Sequence, residues 1–301
     1  MKCIIILLII LIILLLIAYI LIKLSFIRDD KLDENPNWKE YIDANQKGRE
    51  YIYSLKHKDL YIQSFDNLKL HALFVPNAKQ DKTIICVHGY KAKDGLYDFG
   101  QSAKFLYSTG YNLLFVDDRS HGFSQGKYIG FGVLDSKDIN SWVNYLTSEY
   151  KQETIVLYGM SMGAASVLNA SALVNDKVKG IVADCGFASG YEEVKYQIKQ
   201  MYHLPSFPLV PLANLELKLL AKYSLKEKEA YRSIREYKGK LLIIHGGNDH
   251  FVCTKDAYKI YENANCDKNI LIVDGASHAK SYLKDSNKYE EAFKRLLNEI
   301  D

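Results

Sequence analysis

The chain opens with an apolar run unlike anything after it. From Ile4 to Ile22 there is no charged residue and almost nothing but isoleucine and leucine; Lys23 ends the run. As a helix, that length crosses a hydrocarbon core of about 30 Å. A cleaved secretory signal would have a shorter apolar stretch and then a small-x-small site, which Ile22-Lys23-Leu24-Ser25-Phe26 does not offer. Residues 1–28 therefore read as a single-pass membrane anchor. Lys2 precedes it, and Lys23, Arg28 and Lys31 follow. Counted by the positive-inside rule, that balance keeps the rest of the chain in the cytoplasm.

Residues 29–58 are polar and charged, with Asn35-Pro36 as a breaker. Trp38 to Leu55 predicts a helix with Gly48 as its weak point. This stretch reads as a stalk or lead-in. From residue 59 to 301 the pattern is that of one domain. Leu60-Tyr61-Ile62-Gln63 and Leu68 to Val75, joined across Phe65-Asp66-Asn67, predict an antiparallel hairpin. Six short continuous apolar runs follow: Thr83–Val87, Leu113–Val116, Ile155–Tyr158, Ile181–Ala183, Leu241–Ile244 and Ile270–Val273. Such runs are what strands buried on both faces require. Helical patterns over Val133–Tyr150, Met162–Val174, Asp256–Ala264 and Ser281–Ile300 separate or follow them. Strand alternating with helix implies a mostly parallel sheet of about eight strands, flanked by helices. The gap from about 187 to 240 is too long for a simple connection. It holds Pro205, Pro208 and Pro211 and two apolar helical patches, and so predicts an inserted helical cap over the strand ends.

Composition narrows the function classes. Net charge is only +3 over 301 residues, and no Lys/Arg cluster is dense enough to track phosphates, so a nucleic-acid partner is not expected. The five cysteines (Cys3, Cys86, Cys185, Cys253 and Cys266) contain no C-x-x-C pair. A zinc site, a redox pair and a disulfide framework therefore lack support. Cys86 and Cys185 fall in apolar runs and read as small buried hydrophobes.

Ligands of parallel sheets gather at the carboxyl ends of the strands, which points to the residues after each run. Gly159-Met160-Ser161-Met162-Gly163 follows one strand and opens a helix. A serine on such a sharp turn is exposed as a nucleophile, and flanking glycines let the turn close. A serine hydroxyl needs a base. Of eight histidines, only His278 lies after the last strand and downstream of a suitable acid. Asp249, in the loop after Leu241–Ile244, is the chosen acid; Asp184, which also ends a strand, is the alternative. Asp274 is close enough to His278 in sequence for a local turn role, and Asp117 and Asp118 read as loop-shaping. The order Ser161, Asp249, His278 is that of a Ser–Asp–His triad. An oxyanion hole needs two backbone N–H groups, here assigned to Met162, after the nucleophile, and Tyr90, after the first parallel strand.

These segments together resemble the α/β-hydrolase superfamily of serine hydrolases. Val87-His88-Gly89-Tyr90 is similar to its oxyanion loop, and Asp117 to Ser124 to its D-x-R-x-H-G-x-S loop. Gly159 to Gly163 is similar to the nucleophile elbow, His245-Gly246-x-x-Asp249 to the acid loop, and Gly275-Ala276-Ser277-His278 to the histidine loop. Within the superfamily the chain most resembles the membrane-anchored bacterial YqkD-like hydrolases, grouped with serine aminopeptidase S33-type domains; Gly126 to Gly132 carries that likeness. The resemblance implies an α/β-hydrolase fold and hydrolysis of an ester or related acyl bond without metal or organic cofactor. It also implies a small-molecule or lipid-like acyl substrate, and it favours the extracytoplasmic side. Acyl transfer, thioester hydrolysis and peptide hydrolysis are the alternatives on the same fold.

Overall fold

The computed structural model describes residues 2–28 and 38–300. The Asn35-Pro36 breaker and the stretch 29–37 lie outside the described residues. The chain runs α1 (Lys2–Phe26), α2 (Lys39–Ser54), β1 (Lys58–Gln63), β2 (Lys69–Val75), β3 (Lys79–Val87), α3 (Ala103–Ser108), β4 (Tyr111–Val116), α4 (Asp135–Glu149) and β5 (Thr154–Met160). It continues with α5 (Met162–Ala170), β6 (Val178–Asp184), α6 (Gly190–Tyr202), α7 (Ser206–Ala221), α8 (Ala230–Ser233), β7 (Lys240–Gly246), α9 (Lys255–Asn263), β8 (Asp267–Val273), α10 (Ser281–Lys284) and α11 (Ser286–Ile300).

The eight strands form one sheet in the order β1-β2-β4-β3-β5-β6-β7-β8. β1 pairs antiparallel with β2, and β2 with β4. The remaining neighbours are parallel. The hairpin and the mostly parallel sheet are thus as the hydrophobic pattern implies. Strand side chains alternate between two faces, and both faces are covered. Ile85, Leu157, Ile181 and Ile243 join Trp142, Val167 and Ile260 in one core. Their neighbours Cys86, Tyr158, Val182 and Ile244 join Ile52, Phe105 and Phe293 in the other. That double burial is why the strands read as continuous apolar runs. Cys86 and Cys185 are free and buried.

Several local details differ from the sequence pattern. The helix α3 was not anticipated; it is only six residues long, too short for the 3.6-residue period to register. The predicted helix Ser281–Ile300 is two helices, broken at Asp285, whose backbone is non-helical (φ −150°, ψ 76°). Gly48 sits inside α2 without ending it. A Cβ there would lie 1.7 Å from the carbonyl oxygen of Gly100, so the glycine lets α2 pack directly on the segment before α3. Between β6 and β7 come α6, α7 and α8, the stretch expected to be helical.

Candidate active site

β5 delivers the chain to Ser161 at the carboxyl edge of the sheet, and α5 starts at the next residue. Ser161 has φ 54° and ψ −113°, a conformation that L-residues rarely adopt and that stores strain at functional turns. Its own N–H donates to the Asp184 carbonyl at 2.8 Å. The glycines allow the close approach: a Cβ at Gly163 would lie 2.0 Å from the Val87 carbonyl oxygen, and one at Gly159 would lie 2.3 Å from that of Gly163. The turn therefore needs both glycines for clearance rather than for positive φ.

The structure brings Ser161, His278 and Asp249 together from three separate loops. His278 Nε2 is 2.9 Å from Ser161 Oγ, and His278 Nδ1 is 2.7 Å from Asp249 Oδ2. All three are buried, with Ser161 and His278 each only 8% exposed. Asp249 Oδ1 accepts two backbone N–H bonds, from Phe251 and Val252, both at 2.9 Å. Burial alone would push this carboxyl up, but its hydrogen bonds with His245 and His278 outweigh burial and hold it well below the usual carboxylate range. Phe251 lies against the His278 ring, centroids 4.8 Å apart.

Asp184, the alternative acid, is not at His278. Its Oδ2 accepts from the Tyr289 hydroxyl at 2.9 Å, and that hydroxyl is 2.6 Å from the Tyr158 hydroxyl. Its other oxygen has no partner. Burial pushes this carboxyl up to about 6. Asp117 and Asp118 shape the loop after β4: Asp117 accepts from the Gly95 and Phe123 N–H groups at 2.7 Å, and its Oδ2 is 2.7 Å from His71 Nδ1. Arg119 in the same loop makes a two-pronged pair with Asp138.

The Tyr90 amide lies in the loop after β3, and the Met162 amide opens α5 directly after Ser161. Among the described residues neither N–H donates to a backbone carbonyl. For Met162 this follows from its place in the first turn of α5, whose N–H groups have no intrahelical acceptor. The loop carrying Tyr90 is braced from below. Gly89 N–H donates to Asp98 Oδ2 at 2.6 Å, and Tyr41 of α2 donates to Asp98 Oδ1 at 2.6 Å. Neither Asp98 nor Tyr41 was readable as part of the site, because neither lies in a recurring pattern. His245 is a second missed neighbour. It is fully buried, its Nε2–H donates to the Val252 carbonyl at 3.0 Å, and the same nitrogen is 3.3 Å from Asp249 Oδ2. Only the spacing His245-Gly246-x-x-Asp249 hinted at it. Among the described residues no group of three or more His, Cys, Asp or Glu side chains is placed to hold a metal ion.

The fold has counterparts among solved structures. The Pyrococcus furiosus esterase Pf2001 superposes with a TM-score of 0.67 at 24% identity, over 82% of this chain and 93% of that one. The chain has the α/β-hydrolase fold. Residues 78–204 of this hydrolase-fold chain match the family model described as "Serine aminopeptidase, S33". The YqkD protein of Bacillus subtilis is 28% identical over 257 residues, covering 79% of this chain and 83% of that protein. A monkeypox virus protein named as a monoglyceride lipase homologue is 25% identical over 273 residues, covering 79% of this chain and 95% of the viral one. The likeness to YqkD-like hydrolases read from the motifs is therefore borne out.

Proposed function

We propose that this chain is a serine hydrolase that cleaves carboxylic esters through an acyl-enzyme, with Ser161, His278 and Asp249 as its triad. The observation that carries the reading is the hydrogen-bonded chain from Ser161 Oγ through His278 to Asp249. With Asp249 ionised, His278 Nδ1 is the donor to it. Nε2 is then left as an acceptor aimed at the serine hydroxyl, the tautomer a general base requires. Ser161 Oγ attacks the acyl carbon as its proton passes to His278 Nε2. The oxyanion that forms is held by the Tyr90 and Met162 N–H groups at the mouth of α5, where the helix dipole also favours negative charge. His278 then protonates the departing alcohol. Water, losing a proton to His278, attacks the acyl-enzyme; the acid is released and Ser161 is restored.

The esterase and lipase names among the similar proteins support an ester ahead of an amide. The apolar helix α1, with mean hydropathy 3.8 over its most apolar window, supports a retained membrane anchor. A fluorophosphonate probe tests the nucleophile. The unsubstituted chain should be labelled and should turn over short-chain aryl esters. Ser161→Ala should lose all labelling and roughly 10⁴-fold or more in kcat. Labelling that survives the substitution overturns the assignment. Faster turnover of aminoacyl anilides than of aryl esters would move the reaction to peptide hydrolysis.

A further inference from the structure

We propose that α7 lies in the near leaflet of the membrane that α1 crosses, so that α1 and α7 together embed the protein and the site draws its acyl substrate from that leaflet. The identity of the substrate rests on the ester-hydrolase reading; the placement of α7 does not.

The argument begins with length. Ile4 to Ile13 of α1 are all exposed, from 44% to 66%. Ten helical residues reach only about 15 Å, half of a hydrocarbon core of about 30 Å. The other half must come from the next turns, since Lys23 closes the uncharged run. Those turns are not free. Leu14, Ile17 and Leu21 pack against Ile198, Leu209 and Val210. Ala18 and Ile22 are fully buried. Leu15, Leu16 and Tyr19 share an apolar groove of about 380 Å³ with Glu216, Leu219 and Leu220. Residues near both ends of α7 thus meet α1 between Leu14 and Leu21. A bilayer deep enough for α1 must also contain α7.

The outward side of α7 suits that medium. Leu215, Leu219 and Leu220 are 53%, 64% and 41% exposed, and Phe207 and Met201 just before them are 78% and 60%. An exposed apolar patch contiguous with a membrane helix is an interaction surface, not ordinary surface scatter. At about 100° per residue, Lys218 falls about 100° from Leu219 and about 160° from Leu220 around α7; Lys222 follows the helix, its Nζ donating to the Leu219 carbonyl at 3.0 Å. The long Lys218 stem reaches headgroup level while the leucines face hydrocarbon, the arrangement of a helix lying in the interface plane. Glu216 lines the groove against α1 together with Leu219 and Leu220.

The end of α1 and the neighbouring α6 also hold the site. The Tyr90 hydroxyl donates to the Ser25 carbonyl at 2.6 Å, and Lys91 Nζ to the Leu24 carbonyl at 2.7 Å. The orphan carbonyls at the end of α1 are thus capped by the oxyanion loop itself. From α6, Tyr196 and Gln197 donate to the His250 and Phe251 carbonyls of the acid loop, at 2.8 and 2.7 Å. An amphiphile in the near leaflet has its acyl carbonyl at the level of these loops, which water-soluble esters reach only from solution.

The test uses the full chain in phosphatidylcholine vesicles. Leu215→Trp and Leu219→Trp are compared with Tyr258→Trp on α9, with Trp38 and Trp142 of the unsubstituted chain as background. Brominated acyl chains should quench most of the added emission at positions 215 and 219, and aqueous iodide little of it, with the reverse at 258. Iodide quenching at 215 and 219 equal to that at 258 overturns the placement. So does protection from both quenchers, which would mean that protein covers the stripe. The double variant Leu215→Glu, Leu219→Glu should lose about tenfold or more in kcat/KM on a long-chain ester dissolved in the vesicles. Its activity on a soluble short-chain aryl ester should stay within about twofold, showing an intact fold. Equal effects on both esters overturn delivery from the leaflet. Failure of the unsubstituted chain on both esters counts against the ester-hydrolase reading, and the quenching pattern still decides where α7 lies.

Discussion

Asp184 ends β6, Asp249 lies in the loop just after the neighbouring parallel strand β7, and both are buried. Their surroundings nonetheless push them in opposite directions. Asp249 receives two backbone N–H groups on one oxygen and faces two histidines with the other. Asp184 receives a single phenol hydroxyl, and its second oxygen has no partner. The first is held low as a carboxylate, whereas the second is pushed up to about 6. Burial is shared, so donor count decides the charge. Only a carboxylate kept ionised can orient an imidazole and stabilise its positive form. Asp184 serves the site through its backbone instead, accepting the Ser161 N–H.

The largest break of that contrast is Asp249→Asn. An amide at this position can present its NH₂ to His278 Nδ1, forcing the wrong tautomer toward Ser161. We expect a fall of roughly 10⁴ in kcat, read on an aryl ester, with a nearly unchanged KM. The same substitution at Asp184 should leave kcat within about tenfold, because no contact to His278 is lost. Its effect is on stability and depends on pH. Asp184 has a folded pKa of about 6 against an unfolded value of about 3.9. Its contribution is therefore fully present below pH about 4 and lost as pH rises through about 6, a change of about 3 kcal/mol. Asp184→Asn, which cannot ionise, should gain on the unsubstituted chain by that amount between pH 4 and pH 7. Asp249 has the reverse sign: its contribution is present above the unfolded carboxylate range and lost as pH falls through its lowered folded value. Denaturant midpoints at pH 4 and pH 7 check the Asp184 effect, and a series below pH 4 checks that of Asp249.

How much of this was legible in the sequence varies by residue. Ser161 was readable because an elbow needs its glycines at fixed spacing, and Asp249 and His278 because they follow strands that read cleanly. The choice of Asp249 over Asp184 rested on loop position. The reason now visible, hydrogen bonds with His245 and His278 that hold the carboxyl low, depends on tertiary packing that the order of residues does not announce. Asp98, Tyr41 and His245 were opaque for a related cause. Asp98 and Tyr41 act on the Gly89 loop from outside any periodic or spaced pattern, and His245 was hinted at only by its spacing to Asp249. The strands were legible because both sheet faces are covered; α3, at six residues, and the break at the single residue Asp285 were not, being too short for a 3.6-residue period to register. The exposed stripe on α7 reads in sequence like any core helix, and only packing shows that one side of it faces outward.

The finest probe of the contrast is Tyr289→Phe. It removes the one donor to Asp184 and the 2.6 Å contact between the Tyr289 and Tyr158 hydroxyls, without changing ring packing. At pH 4, where Asp184 is neutral in the fold, the loss is an ordinary buried hydrogen bond, about 1 kcal/mol. Above pH 6 the bond is to a carboxylate and its loss costs about 2 kcal/mol. The Tyr289 hydroxyl also lowers the Asp184 pKa, so deleting it should move the pH at which stability falls upward. The signature is thus a destabilisation that grows with pH, the growth disappearing in an Asp184→Asn background while the basal loss stays, measured by urea unfolding. A pH-independent loss of the same size in both backgrounds would mean that Asp184 is not the group titrating near pH 6, and the contrast with Asp249 would reduce to geometry alone.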